Sequence, residues 1–383
     1  MNFDSSHLAY CTNIHPAETW AETRSMLQTE VLAVRDRLRA QGVLGPDAPF
    51  AIGLRLSAVA ATELLAGCQL DGFRAWLEET NTYVFTINGF PYGSFHGTRV
   101  KERVFQPDWT QRARLDYTQD LFRILAAIAR PGTGASVSSL PGSHKSFTAD
   151  ESLIRANLLE LARWLDELAA ETGHDFHLGL EPEPLGHFEN TAETLAFFTR
   201  LHADSADSEI LRRRIGLNYD ACHFALEYED ARASLDALTA AGIRISKIHL
   251  SSALAFDPQD PTALHAIRAF EEPVYFHQVL VCDAAGALTR FVDLPDFLAA
   301  GVPAGAAEAR VHYHIPLDAE PAAPLRSTRD HARDVLGWCH DQPHACRHYE
   351  IETYTWGVLP ASLQRPVAEQ IAGEYAWVLA QSP

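Results

Sequence analysis

The chain has 383 residues, of which 47% are hydrophobic, 10% aromatic and 21% charged, and its formal net charge at pH 7 is −19. That profile can bury a deep core and excludes a disordered chain. The negative field also removes the usual electrostatic drive for gripping a phosphate backbone, so no nucleic-acid partner is expected.

No apolar run approaches a membrane span, and Met1 to His7 lacks the basic and apolar regions of a signal peptide. No membrane insertion is expected, and a cytoplasmic location is. Cys11, Cys68, Cys222, Cys282, Cys339 and Cys346 are scattered without a CxxC pair, which suits reduced thiols. The sequence allows an oligomer and does not specify one.

Short β-rich runs alternate with longer amphipathic stretches, the pattern of parallel strands joined by crossover helices. In chain order the strand candidates are Leu8 to Ile14, Phe50 to Leu56, Tyr83 to Asn88, Ala135 to Leu140, Phe176 to Glu181, Ile215 to Asp220, Ile245 to Leu250, Val311 to Ile315 and Tyr349 to Tyr354. These are nine candidates for the eight strands of an α/β (β/α)8 barrel. Between the fourth and fifth, Leu158, Leu161, Leu165 and Leu168 share one helical face, with Asp150 and Glu151 near its start and Gly173 after its end. Asn190 with Glu193 resembles a capping arrangement, and Gly42 and Gly242 end two further helical patterns.

About a hundred residues separate His249 from Glu352, where a plain barrel repeat needs about 30. Val274 to Cys282 and Leu288 to Val292 flank Asp283 to Ala287, which reads as a β-hairpin. We therefore expect one domain over 1–383, with an inserted flap at 255–305 between strands seven and eight. No linker or internal repeat divides the chain.

A barrel packs its interior with apolar side chains and collects polar groups where strands end. The fifth strand ends in Gly179-Leu180-Glu181-Pro182-Glu183, the sixth in Asn218-Tyr219-Asp220-Ala221-Cys222-His223, the seventh in Lys247-Ile248-His249 and the last in Glu350-Ile351-Glu352. Converging at one mouth, Glu181, Asp220, His249 and Glu352 would make an oxygen-rich site with one imidazole. That donor set suits one divalent metal, Mn²⁺ or Mg²⁺ before Zn²⁺.

With these motifs the chain resembles the xylose-isomerase-like superfamily, which includes keto-sugar epimerases and endonuclease-IV-like proteins. Pro141-Gly142-Ser143-His144 is similar to the HPGSH segment of the endonuclease branch, Asp220 to His223 to its DTCH segment, and Ile248-His249-Leu250 to its seventh-strand metal histidine. More narrowly, HLAYCTNIHPAE at His7 to Glu18, KIHLSSAL at Lys247 to Leu254 and EIETYTW at Glu350 to Trp356 resemble the EboE family of metabolite-traffic proteins from ebo clusters. The resemblance implies a metal on Glu181, Asp220, His249 and Glu352, with His223 as a substrate-facing or alternative ligand. His187, six residues beyond Glu181, is where related epimerases place a substrate contact, and a solvated loop histidine is the competing reading. Leu140 and Asn88 stand where the endonuclease pattern has histidines, which disfavours a three-metal phosphodiesterase and makes Asn88 a substrate-side residue.

Glu183 and Glu350 share strand parity with Glu181 and Glu352 and are the natural misassignments. His312 and His314 share one face of the Val311 to Ile315 strand, and His314 is a candidate for the substrate shell. His277 lies on the proposed flap, where a surface position is expected. Cys339 to His348 contains cysteines and histidines but lacks paired zinc-site spacing and falls toward the N-terminal face, so it is not taken as a metal site. No Gly-rich nucleotide loop or nucleophile elbow is present.

Such a site could bind adjacent oxygens of a small hydroxylated metabolite. Glu181 and Glu352 would act as base and acid on the two faces of an enediolate, giving isomerisation or epimerisation. His223 with Lys247 or His144 would place substrate oxygens. The alternative is a metabolite-binding or traffic protein with the same pocket, and the fold alone does not choose between them.

Overall fold

The computed structural model describes residues 2–3, 6–94, 96, 101–203 and 206–381. Eight parallel strands form a barrel: β1 (Ser6–Tyr10), β2 (Phe50–Arg55), β3 (Thr82–Asn88), β4 (Ala135–Ser139), β5 (Phe176–Leu180), β6 (Ile215–Asp220), β7 (Ile245–Leu250) and β13 (His348–Ile351). Each pairs with its sequence neighbour around the ring. β13 lies between β7 and β1, and a parallel bridge between Cys11 and Gly53 joins β1 to β2. The fold is thus a (β/α)8 barrel.

Period two explains how each strand serves two layers. On β7, Ile248 and Leu250 join the main apolar core with Leu235, Val335 and Leu336 from helices. Lys247 and His249 share the other face, as do Glu350 and Glu352 at β13. The barrel interior is more polar than an apolar filling would make it. Lys247 and Glu350, both 0% exposed, form an ion pair inside it. Space for Glu350 depends on Gly53, because a Cβ there would overlap Glu350 Oε1 and sit 2.6 Å from Tyr10 O.

The helix Glu151–Thr172 buries Leu158, Leu161 and Leu165; Asp150 caps its start through Ser152 N, and Gly173 ends it at φ 75°. Asn190 Oδ1 accepts from Glu193 N at 3.0 Å, and Gly42 and Gly242 have φ of 72°.

Between β7 and the helix Arg329–Asp341 lies a five-stranded antiparallel sheet. Its strands are β8 (Leu254–Phe256), β9 (Val279–Asp283), β10 (Leu288–Phe291), β11 (Ala306–Val311) and β12 (Arg326–Ser327), in the order β10-β9-β11-β8-β12. The hairpin β9–β10 is present, but as one edge of this larger unit, and the sheet runs past the expected limit of 305. Two strands alone are marginal in water, and here partner strands and a separate apolar cluster including Phe256, Ile267, Phe297, Val311 and Tyr313 support them. Val311 to Ile315 is accordingly the ninth strand candidate that is not in the barrel: β11 ends at Val311, and His312 to Ile315 continue beyond it. Among the described residues no helix is long and apolar enough to cross a membrane, and all six cysteines are free.

Candidate metal centre

Four side chains reach the C-terminal mouth from consecutive barrel strands, and an outer partner orients each one. Glu181 follows β5, and its Oε2 accepts from Asn218 Nδ2 at 2.8 Å. Asp220 ends β6 and caps the helix Ala221–Leu226. Its Oδ1 accepts from Cys222 N at 2.7 Å, His223 N at 3.2 Å and Ser251 Oγ at 2.6 Å, while the buried Oδ2 has no hydrogen-bond partner. Glu352 follows β13, and its Oε1 accepts from Asn13 Nδ2 at 2.8 Å and Asn88 Nδ2 at 3.3 Å. His249 on β7 donates from Nε2 to Glu350 Oε2 at 2.9 Å.

The atoms not used in these bonds point at one another. His249 Nδ1 lies 3.2 Å from Glu181 Oε1, 3.6 Å from Asp220 Oδ2 and 3.4 Å from Glu352 Oε2. One ligand-type atom from each of the four residues lies within 4.8 Å of the other three. Three carboxylates buried this closely need a compensating positive charge. The imidazole reports the same field: burial disfavours a charged His249, yet Glu352 and Glu181 outweigh it and raise its pKa well above the ordinary value. Burial likewise opposes ionised Asp220, which His223 and His314 hold well below the usual carboxylate range. An orphaned carboxylate oxygen, hard oxygen donors and a histidine whose far nitrogen is pinned by a carboxylate fit a divalent cation held by Glu181, Asp220, His249 and Glu352.

Of the substrate-side candidates, Asn88 and His223 line the space above this cluster, with Asn13, Phe90, Phe105, Glu183, Tyr275, Gln278, His312 and Tyr354 among the other walls. About 590 Å³ there is free of protein atoms, part of it open to solvent. His314 is not one of the walls; it stands behind them, with Nδ1 donating to Glu352 O at 2.9 Å and Nε2 3.3 Å from that of His312. Three expected contacts are not at the mouth. Lys247 lies one layer down, paired with Glu350 and donating to Ser138 Oγ at 3.2 Å, because a residue two places before a strand end points the same way but deeper. His187 pairs with Glu151 Oε2 at 2.9 Å on the helix side. His144 packs between Phe105 and Phe147 with Nδ1 on Ser146 and does not line the space.

Glu350 is an outer partner of the cluster. Glu183 does face the cavity, where burial pushes its carboxyl up to about 8 despite His223 beside it. His277, expected at the surface, is 1% exposed; its Nδ1 donates to His312 O at 2.8 Å, and its ring stacks on Tyr313. Within the Cys339 to His348 segment, His348 binds Ser136 Oγ at 2.8 Å and Thr133 O at 2.9 Å at the N-terminal end of the barrel, and none of these residues joins a ligand group. Asn13, Asn218 and Ser251 are outer-partner residues absent from the sequence-based set. Asn218 was accessible to the period-two argument, being two residues before Asp220.

No protein-family model matches the chain, and no curated protein matches it. Solved structures similar to it include the probable 3-DHS dehydratase AsbF involved in petrobactin synthesis from Bacillus anthracis, at 11% identity over 96% of this chain and 97% of that one, TM-score 0.48. An IOLI protein with a binding zinc atom matches at 11% identity over 97% and 94%, TM-score 0.45. L-ribulose 3-epimerase matches at 11% over 98% and 91%, TM-score 0.46. Likeness at this level says nothing of the reaction here, which has to be read from the site's own residues.

Proposed function

We propose that this chain is a metal-dependent isomerase or epimerase that moves a proton at a carbon beside a carbonyl in a small hydroxylated metabolite. The observation that carries this reading is the convergence of Glu181, Asp220, His249 and Glu352 within 4.8 Å at the floor of the mouth cavity. A divalent cation held there supplies Lewis acidity, polarising a carbonyl and acidifying the neighbouring C–H.

Glu181 and Glu352 come from the fifth and eighth strands and so reach the cavity from different walls. One carboxylate removes the proton from one face of the substrate, and the other returns a proton to the opposite face or to the neighbouring carbon. Asn218 holds Glu181, and Asn13 with Asn88 holds Glu352, each through Oε bonds that leave the second oxygen directed inward. Phe90, Phe105, Tyr275 and Tyr354 line the approach to the cluster with aromatic rings.

The test is solvent exchange. Metal-loaded protein incubated in D2O with a panel of aldoses, ketoses and keto-polyols is expected to wash deuterium into the carbon beside the carbonyl of its substrate. Glu181→Gln and Glu352→Gln are each expected to lower the rate by at least 100-fold. Saturable binding with no exchange would instead identify a metabolite-binding protein of the EboE type. Full turnover in both variants would overturn the assignment of base and acid.

A further inference from the structure

Beside the carboxylate cluster stand three imidazoles that the proposed reaction does not use as a group. His223 comes from the helix after β6, and His312 and His314 descend from β11; they are 2%, 2% and 0% exposed. Their ring centroids form a triangle: 4.8 Å between His223 and His312, 5.6 Å between His223 and His314, and 5.3 Å between His312 and His314.

In each ring the Nδ1 contact is to an oxygen that accepts only. His223 Nδ1 meets Pro182 O at 2.7 Å, His312 Nδ1 meets Gln278 Oε1 at 2.7 Å and His314 Nδ1 meets Glu352 O at 2.9 Å. The orientation of the Gln278 amide is set by its nitrogen, which donates to Pro184 O at 3.3 Å. A proton therefore sits on every Nδ1, and Nε2 is the nitrogen left to take a second proton or a cation. Fixing of one ring nitrogen by an oxygen acceptor is how metal-ligating histidines are oriented.

The Nε2 atoms are placed accordingly. His312 Nε2 and His314 Nε2 face each other at 3.3 Å, two lone pairs unless something positive lies between or beside them. His223 Nε2 is 3.3 Å from Glu183 Oε2, and His312 Nδ1 is 3.9 Å from Glu183 Oε1. Ligand-type atoms of Glu183, His223 and His312 lie within 4.8 Å of one another; so do those of Cys222, His312 and His314, and those of Asp220, His223 and His314.

We propose a second cation site at the mouth, with Glu183, His223 and His312 as its core and His314 and Cys222 at its flank. Its donors are imidazoles with one carboxylate and a nearby thiol. That set favours Zn²⁺ over Mg²⁺ or Mn²⁺, in contrast to the oxygen-rich cluster next to it. Asp220 appears in ligand groups of both sites. The proposal stands on residues separate from the proton-transferring pair and does not require the isomerase reading.

Full-length protein stripped with a chelator is dialysed against Zn²⁺ and analysed for metal per chain. Co²⁺ is added in parallel, and its visible absorption reports imidazole ligation. Two equivalents of Zn²⁺ are expected in the wild type, one in His312→Gln and one in His223→Gln; Glu352→Gln is expected to keep the ion at the histidine site. If a histidine variant fails to fold by thermal melt, the wild-type stoichiometry and Co²⁺ spectrum still decide. One equivalent in wild type at saturation, or two in both histidine variants, would overturn the site and assign the 3.3 Å contact to a shared proton. Two equivalents without deuterium exchange would leave this site standing while removing the isomerase reading.

Discussion

Glu350 Oε2 accepts from His249 Nε2 at 2.9 Å, and this one bond decides which imidazole nitrogen looks at the carboxylate cluster. Glu350→Gln keeps an accepting oxygen but loses the charge that makes His249 a stronger ligand. The affinity for Mn²⁺ at the carboxylate site is expected to fall by about 10–100-fold, read by titration of the chelator-treated protein. An unchanged affinity would mean that His249 does not bind the ion.

Glu350 also balances Lys247, and the two roles separate by mutation. Lys247→Met leaves a buried carboxylate without its main cation, which is expected to cost about 3–5 kcal/mol in denaturant unfolding. Adding Glu350→Gln in the same chain removes the stranded charge. Most of the stability should return, while metal affinity stays as low as in Glu350→Gln alone.

Gly53→Ala tests the same point by sterics. The added Cβ would press on Glu350 and on Tyr10 O, so a loss of about 1–3 kcal/mol is expected, together with a weaker carboxylate site. Wild-type stability and affinity would show that the barrel shifts freely here.

A pH test is available away from the site, at Glu374 on the helix Val367–Ala380. Its Oε1 accepts from Thr353 Oγ1 at 2.6 Å and Leu317 N at 3.1 Å, Oε2 has no partner, and burial raises its carboxyl to about 7 despite these bonds. Between the unfolded value of 4.5 and about 7, the unfolded chain loses this proton before the folded one does. The stability contributed by the protonated form is complete below 4.5 and is lost as pH rises through 7, an effect of about 3 kcal/mol. Glu374→Gln is expected to flatten that part of the stability profile and to melt above wild type at pH 8. A parallel decline in both proteins would sink the assignment.

The barrel was legible because its strands are short apolar runs bounded by helix signals, and the ends of those runs pointed to Glu181, Asp220, His249 and Glu352, which parity alone could not separate from Glu183 and Glu350. Parity tells a face but not a depth, which is why Lys247 looked like a substrate contact and proved to lie beneath Glu350. Val311 to Ile315 shows a second limit. A period-two run looks alike in a parallel barrel and an antiparallel insertion, and only its partners Val279–Asp283 and Leu254–Phe256 decide between them. His187 and His144 lie in loops whose paths are set by contacts far along the chain, such as Glu151 for His187.

The inserted sheet carries His312, His314, Gln278 and Tyr275 to the mouth without altering a single barrel strand. Chemistry at this mouth is thus modular: grafting residues 251–328 between the seventh and eighth strands of another barrel would transplant donor atoms along with a roof. Trimming residues 252–328 here would remove His312 and His314 while leaving His223, the four-residue cluster and the Ser251 hydroxyl that holds Asp220. Cover and reactivity in this architecture are inherited together.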